Sequence, residues 1–191
     1  MARIVAETER LRLREWDAED EVRFYLVMNR PEVMRYLGGV QTREEWNAAF
    51  QRVTAFQRDC GHTFWIVDDR RTDDILGFCG VKLSNAPGAG PLLGKHEIGW
   101  RLRPEAWGKG IAKEAAVASM DLAFDCFGAP EVIATTLLGN VASEGLMKRL
   151  GMTRREDLDY VDTRFGPEMN PSIVYVIEAA DWPAARLAAL S

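Results

Sequence analysis

Residues 97–112, Glu-Ile-Gly-Trp-Arg-Leu-Arg-Pro-Glu-Ala-Trp-Gly-Lys-Gly-Ile-Ala, run from a strand-like segment through a glycine-punctuated turn straight into a helical pattern. No other stretch narrows the fold as much. Gly108 and Gly110 lack a Cβ, so the chain can turn tightly there and press its N–H groups against a ligand. The helix that opens near Gly110 adds unpaired donors and the positive end of its dipole, which together make an anion cradle. Two familiar cradles do not fit. There is no G-x-x-x-x-G-K-[ST], and no G-x-G-x-x-G with an acidic residue about 20 positions on that closes a second strand. The pattern that does fit is a six-residue loop, Trp107 to Ala112, with Gly in its fourth place and Ala in its sixth.

The remaining periodicities predict a mixed α/β domain. Arg10–Trp16 alternates apolar and charged residues like a strand with one buried face. Asp17 is a predicted cap for a helix carrying Val22, Tyr25, Leu26 and Met28, and Thr42-Arg-Glu-Glu45 is a capping box for a second helix reaching Gln57. These two helices are expected to form a lid. Thr63–Val67, Ile75–Leu83 and His96–Leu102 read as an antiparallel meander. A helix from Gly110 to Phe127 carries Ile111, Ala115, Ala118, Leu122 and Cys126 on one stripe and leaves Glu114, Asp121 and Asp125 for water. It crosses to a β-branched strand, Glu131–Leu138, giving one parallel pair. A short helix over Ser143–Leu150 and strands over Thr153–Tyr160 and Ser172–Glu178 follow. The strands so predicted make a mostly antiparallel sheet of about seven strands, as in an α+β fold.

With 191 residues, 47% of them apolar, and no linker or repeat, residues 1–191 are read as one domain. The Pro/Gly-rich run Asn85–Gly94 is a loop between strands. Cys60, Cys79 and Cys126 are widely spaced and odd in number, which fits reduced core thiols rather than a disulfide framework or a metal site. The opening residues have no apolar leader core, and no uncharged run is long enough to cross a bilayer, so a cytoplasmic protein without membrane contact is expected. A net charge of −5 argues against direct nucleic-acid binding and favours a cationic acceptor such as an amine.

The Trp107–Ala112 loop resembles the pyrophosphate-binding signature R/Q-x-x-G-x-G/A of the GNAT superfamily of N-acetyltransferases. Its wording W-G-K-G-I-A, preceded by E-I-G-W, is similar to the RimJ/RimL-type subgroup, named for ribosomal-protein N-terminal acetyltransferases. A second motif, Asn140-Val-Ala-Ser143 followed by Met147-Lys-Arg-Leu-Gly-Met152, resembles the subgroup's N-x-x-S and its K-L-G-F-like ending. Trp107 replaces Arg or Gln, Gly145 falls inside the helix, and Met152 stands where Phe is usual. The likeness extends from Thr8 to Ile177. It implies a GNAT-like fold whose mostly antiparallel sheet has one splayed parallel pair and helices on both faces, with acetyl-CoA as cosubstrate, no metal, and an amine acceptor, either a peptide N-terminus or a small molecule. It also admits a homodimer.

The resemblance further implies roles. The N–H groups of Gly108, Lys109, Gly110, Ile111, Ala112 and Lys113 would grip the pyrophosphate, and backbone groups around Arg101, Leu102 and Arg103 would bond the pantetheine as an extra strand. Lys109 and Lys113 add charge to that site or are solvated surface. Asn140 bonds the pantetheine, caps a helix, or does both. Ser143 faces the leaving sulfur, and Arg149 reaches a phosphate or complements the helix dipole. Glu97 is the expected general base, with a structural ion pair as the alternative, and His96 faces the opposite side of the strand. Neither a Ser-His-Asp nor a Cys-His arrangement is legible, which suits direct attack without an acyl-enzyme. A non-catalytic acyl-CoA-binding module on the same fold is the other reading.

Overall fold

The computed structural model describes residues 2–191. Strands β1 (Ile4–Glu7) and β2 (Leu11–Arg14) precede α1 (Asp20–Met28), the single turn α2 (Pro31–Met34) and α3 (Arg43–Cys60). Strands β3 (Phe64–Asp69), β4 (Ile75–Leu83) and β5 (His96–Leu102) form the expected meander, and α4 (Ile111–Asp121) carries the chain to β6 (Glu131–Leu137). Then come α5 (Val141–Arg149), β7 (Thr153–Arg154), β8 (Ser172–Glu178) and α6 (Trp182–Leu190). All eight strands lie in one sheet, ordered β1-β2-β3-β4-β5-β6-β8-β7, and the one parallel contact is β5 with β6.

Alternation along the strands divides the core. Leu11, Leu13, Trp65, Val67, Cys79, Val81, Ile98 and Leu102 point to one face and pack on Ile111, Ala115 and Met120 of α4. Each such large side chain contributes about 1.5–3 kcal/mol by leaving water. On the other face Trp16, Phe24, Met28, Trp46 and Ile66 pack α1 and α3 over β2–β4. A third cluster seats Ala86, Ala89 and Leu92 of the β4–β5 loop on Ile133 of β6 and Val174 and Val176 of β8. Two roofs therefore cover this second face, and β5 runs between them.

Several expectations change. The sheet has eight strands rather than about seven because β1, a four-residue edge strand, shows no alternation to detect. The strand expected over Thr153–Tyr160 forms a ladder only at Thr153 and Arg154, bends through a 3-10 turn at Glu156–Leu158 held by an Arg154–Asp159 ion pair, and returns to β8 at a single Tyr160–Ser172 bridge. The early helices are a packed layer with their own aromatic core, not a lid. Asp17 does not cap α1. That helix starts at Asp20, whose carboxylate accepts from the Asp17 N–H at 2.9 Å. The Thr42 capping box is present, but α3 continues to Cys60 and stops at the left-handed Gly61. α6 had no sequence counterpart, and it covers Asp121 with Trp182 and Arg186. Glu114 is likewise bonded rather than solvated. Past Asp121 the helix widens into a π turn, Leu122–Cys126, which rotates the stripe and leaves Cys126 exposed. Cys60 is exposed too, so only Cys79 is a core thiol, pushed up to about 12 by burial. Among the described residues no helix is long and apolar enough to cross a membrane, and no cluster of His, Cys, Asp or Glu gathers as a metal site.

Candidate active site

The site grows from a split in the sheet. β5 and β6 pair only at His96–Val132 and Glu97–Ile133. Beyond those positions β5 stays on β4 as far as Leu102, while β6 stays on β8 as far as Leu137. Two strand edges thus face each other unpaired. The Arg103 N–H donates to the Leu76 carbonyl at 2.8 Å, so the antiparallel ladder turns the main chain of Arg101 and Gly99 toward β4. The N–H and C=O groups of Trp100 and the N–H of Leu102 therefore point into the split, whereas Arg101 offers it no backbone group. The Leu102 carbonyl is already taken: it accepts from Trp107 Nε1 at 2.8 Å. Trp107, at the first place of the glycine loop, ties that loop to the end of β5.

At the mouth of the split the loop has the geometry of a cradle. Gly108 and Gly110 have φ of 70° and 75°, the left-handed region where a Cβ is strained. A Cβ built on Gly108 would meet nothing within 4 Å, so the space before the loop is open. α4 begins after Gly110 with no side-chain cap, and its first helical bond is Glu114 N–H to Gly110 carbonyl at 3.0 Å. The N–H groups of Ile111, Ala112 and Lys113 consequently precede the helical ladder and are free for an anion. Neither Lys109 nor Lys113 enters an ion pair among the described residues. The residues present fit a pyrophosphate.

The loop is braced from behind, which the sequence did not reveal. Arg10 Nη1 donates to the Lys109 carbonyl at 2.9 Å, and Arg10 Nε donates to Glu114 Oε2 at 2.6 Å. Glu114 Oε1 also accepts from the Arg10 N–H and the Thr8 hydroxyl. These bonds hold the Glu114 carboxyl below its usual range, against the opposing effect of burial. The β1–β2 turn thereby fixes the cradle from a hundred residues away.

Across the split, Asn140 caps α5: its Oδ1 accepts from the Ser143 N–H at 3.4 Å while its Nδ2 donates to Thr136 Oγ1 at 3.0 Å. Nδ2 keeps a second proton for a ligand. The Ser143 hydroxyl has no partner among the described residues. A Cβ on Gly145 would lie 3.4 Å from Arg149 Nη1, so this mid-helix glycine makes room for the Arg149 guanidinium to fold back along α5.

On the second face of β5 lie Glu97, Gly99 and Arg101. Glu97 Oε2 is 3.0 Å from Lys82 Nζ, and Oε1 accepts from the Thr135 hydroxyl at 3.2 Å. Tyr160 stands beside this group; burial and then the Glu97 charge push its phenol up. Lys82 and Thr135 escaped sequence reasoning because they come from two other segments, β4 and β6. His96 points to the α4 face, stacked at 5.6 Å on His62, and burial lowers its pKa. Trp46 is core packing. Tyr36 lines a cavity of about 200 Å³ with Arg35, Leu137 and Asn170, and Phe165 lines a neighbouring apolar hollow with Val161 and Pro171.

A strand pair that splits over a glycine cradle is the frame against which known proteins can be compared. The acetyltransferase (GNAT) domain family matches residues 10–153. The chain belongs to the GNAT acetyltransferase family. Among its relatives is the Bacillus subtilis protein YkkB, 34% identical over 152 residues that cover 76% of this chain and 83% of YkkB. The uncharacterized N-acetyltransferase YnaD of Bacillus subtilis is 30% identical and covers 92% of this chain and 97% of its own. An acetyltransferase structure from Agrobacterium tumefaciens superimposes with a TM-score of 0.74 at 25% identity, covering 91% and 93% of the two chains. This GNAT chain is accordingly an acyltransferase, and acetyl-CoA is the family's cosubstrate.

Proposed function

We propose that the protein transfers the acetyl group of acetyl-CoA to a primary amine by direct attack, in the manner of the RimJ/RimL-type enzymes, in the cytoplasm. The acceptor is a protein or peptide N-terminus or a small-molecule amine. The observation that carries this reading is the split between β5 and β6, whose free edge leads straight to the Gly108–Gly110 cradle. Acetyl-CoA supplies an activated acyl group on a thiol that can leave.

In this reading Gly108 through Lys113 hold the pyrophosphate, Trp100 and Leu102 bond the pantetheine arm as a β-strand would, and Arg103 and Arg149 lie at its flanks. The Trp100 N–H polarises the thioester carbonyl, whose oxygen gains charge as the amine nitrogen bonds to carbon. Glu97 accepts the proton shed by the attacking ammonium through a water, and its contacts with Lys82 and Thr135 keep the carboxylate oriented toward the second face. The C–S bond then breaks, and Ser143, whose hydroxyl has no partner among the described residues, donates a hydrogen bond to the departing thiolate. Asn140 positions the arm with its remaining amide proton.

The test is thiol release from acetyl-CoA with a panel of peptide N-termini and small amines. A protein that only bound the cosubstrate would gain thermal stability, about 2.7 kcal/mol at a hundredfold excess over Kd, without producing thiol. That outcome would replace transfer with the non-catalytic acyl-CoA-binding reading.

A further inference from the structure

The second face of β5 holds one cation without a counter-charge. Of the other arginines near this groove, Arg103 meets Asp74 and Glu105, Arg164 meets Asp162 and Arg30 meets Glu105, while Arg35 is exposed and lies over the Tyr36 ring. Arg101 enters no ion pair among the described residues. Its guanidinium lies 5.1 Å above the Phe78 ring and 3.6 Å from the Met34 sulfur, and its Nε is buried with no hydrogen-bond partner. Burial alone pushes its pKa down to about 10, so it stays charged at neutral pH. An unpaired, half-buried guanidinium is costly, and its planar fork matches a carboxylate.

The surroundings limit what can deliver that carboxylate. Arg101 follows Trp100, whose N–H faces the split where the thioester carbonyl is proposed to sit. The roofs meet above the diverging strands: the Tyr36 hydroxyl donates to the Gly139 carbonyl at 3.3 Å, and the Phe165 ring lies 3.7 Å from where a Gly38 Cβ would be. Such bridges narrow the groove, which suits a small acceptor better than an extended peptide.

We infer that the acceptor is a small amine bearing its own carboxylate, of the amino-acid class, and that Arg101 pairs with that carboxylate while the amine faces the thioester. This rests on the proposed amine acetylation, and the experiment has two arms so that each can fail separately. In the first, the acetyl-CoA-saturated protein is titrated with carboxylates that carry no amine, propanoate and succinate, and thermal shift is read. Wild type should be stabilised, Arg101→Lys less so, and Arg101→Met not at all. Without ligand, Arg101→Met should melt higher than wild type, because an unpaired charge has gone. In the second arm, amino acids are compared with their carboxamides by thiol release. Wild type should favour the acids by a hundredfold or more in kcat/KM, and Arg101→Met should lose that preference. Equal rates for acid and amide, no carboxylate-dependent shift, an unfolded Arg101→Met, or faster acetylation of acidic peptides than of free amino acids would each overturn the inference. Carboxylate binding with no amine acetylated would instead sink the acetylation reading, and with it the assignment of the anion to an acceptor.

Discussion

Glu114 offers the sharpest test of how the cradle is held. Its carboxylate takes hydrogen bonds from the Thr8 hydroxyl, the Arg10 N–H and the Arg10 guanidinium, and that guanidinium also grips the Lys109 carbonyl. Glu114→Gln keeps one oxygen for Thr8 and the Arg10 N–H but sets an amide N–H against the Arg10 Nε donor. Losing a charge-assisted bond costs about 1.5–3 kcal/mol, and because Arg10 is 46% exposed solvent screening reduces this to about 1–2 kcal/mol. For a chain of this length 1 kcal/mol shifts Tm by about 2–4 °C, so a fall of about 2–8 °C is expected at neutral pH. The folded carboxyl lies below its usual 4.5, so its contribution is complete above that value and fades as pH falls through the folded one. Urea midpoints of wild type and variant, measured from about pH 7 to about pH 3.5, should therefore converge only at the acid end. Acetyl-CoA titrated by calorimetry should bind the variant more weakly, since the Lys109 carbonyl is no longer drawn outward. A stability gap that stays constant with pH, or an unchanged Kd, would refute the bracing role.

Other substitutions probe the proposed roles. Gly110→Val should abolish acetyl-CoA binding measured by calorimetry: φ of 75° costs an L-residue about 1–2 kcal/mol, and a Cβ there lies 3.5 Å from Arg10 Nη2, so the branched side chain disturbs both the turn and its brace; near wild-type affinity in a folded variant would contradict it. Ser143→Ala should lower kcat more than acetyl-CoA affinity, whereas Asn140→Ala should weaken binding and also cost about 1 kcal/mol through the lost cap. Wild-type turnover by Ser143→Ala would hand the thiolate to another donor. Glu97→Gln should lose about 10²–10⁴ in kcat at neutral pH and recover part of it in alkali, as an amine with pKa of about 10 becomes neutral unaided. A pH profile parallel to wild type, with lowered stability from an unpaired Lys82, would leave Glu97 a structural ion-pair partner.

The local elements were legible because their signals are short-range. The Thr42–Glu45 capping box, the alternation of Arg10–Trp16 that becomes β2, and the strand–glycine–helix join at 97–112 each encode geometry within a few residues, and the fold reproduces them. The two motifs around Gly110 and Asn140 likewise sufficed to suggest the family. Asn140 could be read as a cap for the same reason, since its acceptor bond spans three positions.

What the sequence left open involves partners far along the chain. Whether Glu97 is free or ion-paired depends on Lys82, Thr135 and Tyr160, which only the sheet brings together. Arg10 and Glu114 are 104 positions apart, and nothing near either one marks it as a brace. Arg101 looks like any charged residue in an alternating strand; its lack of a counter-ion emerges only once the fold sets its guanidinium beside Phe78 and Met34. The physical division is between backbone conformation, which neighbours in sequence set, and the pairing of charges, which depends on distance in space and on the water excluded by packing.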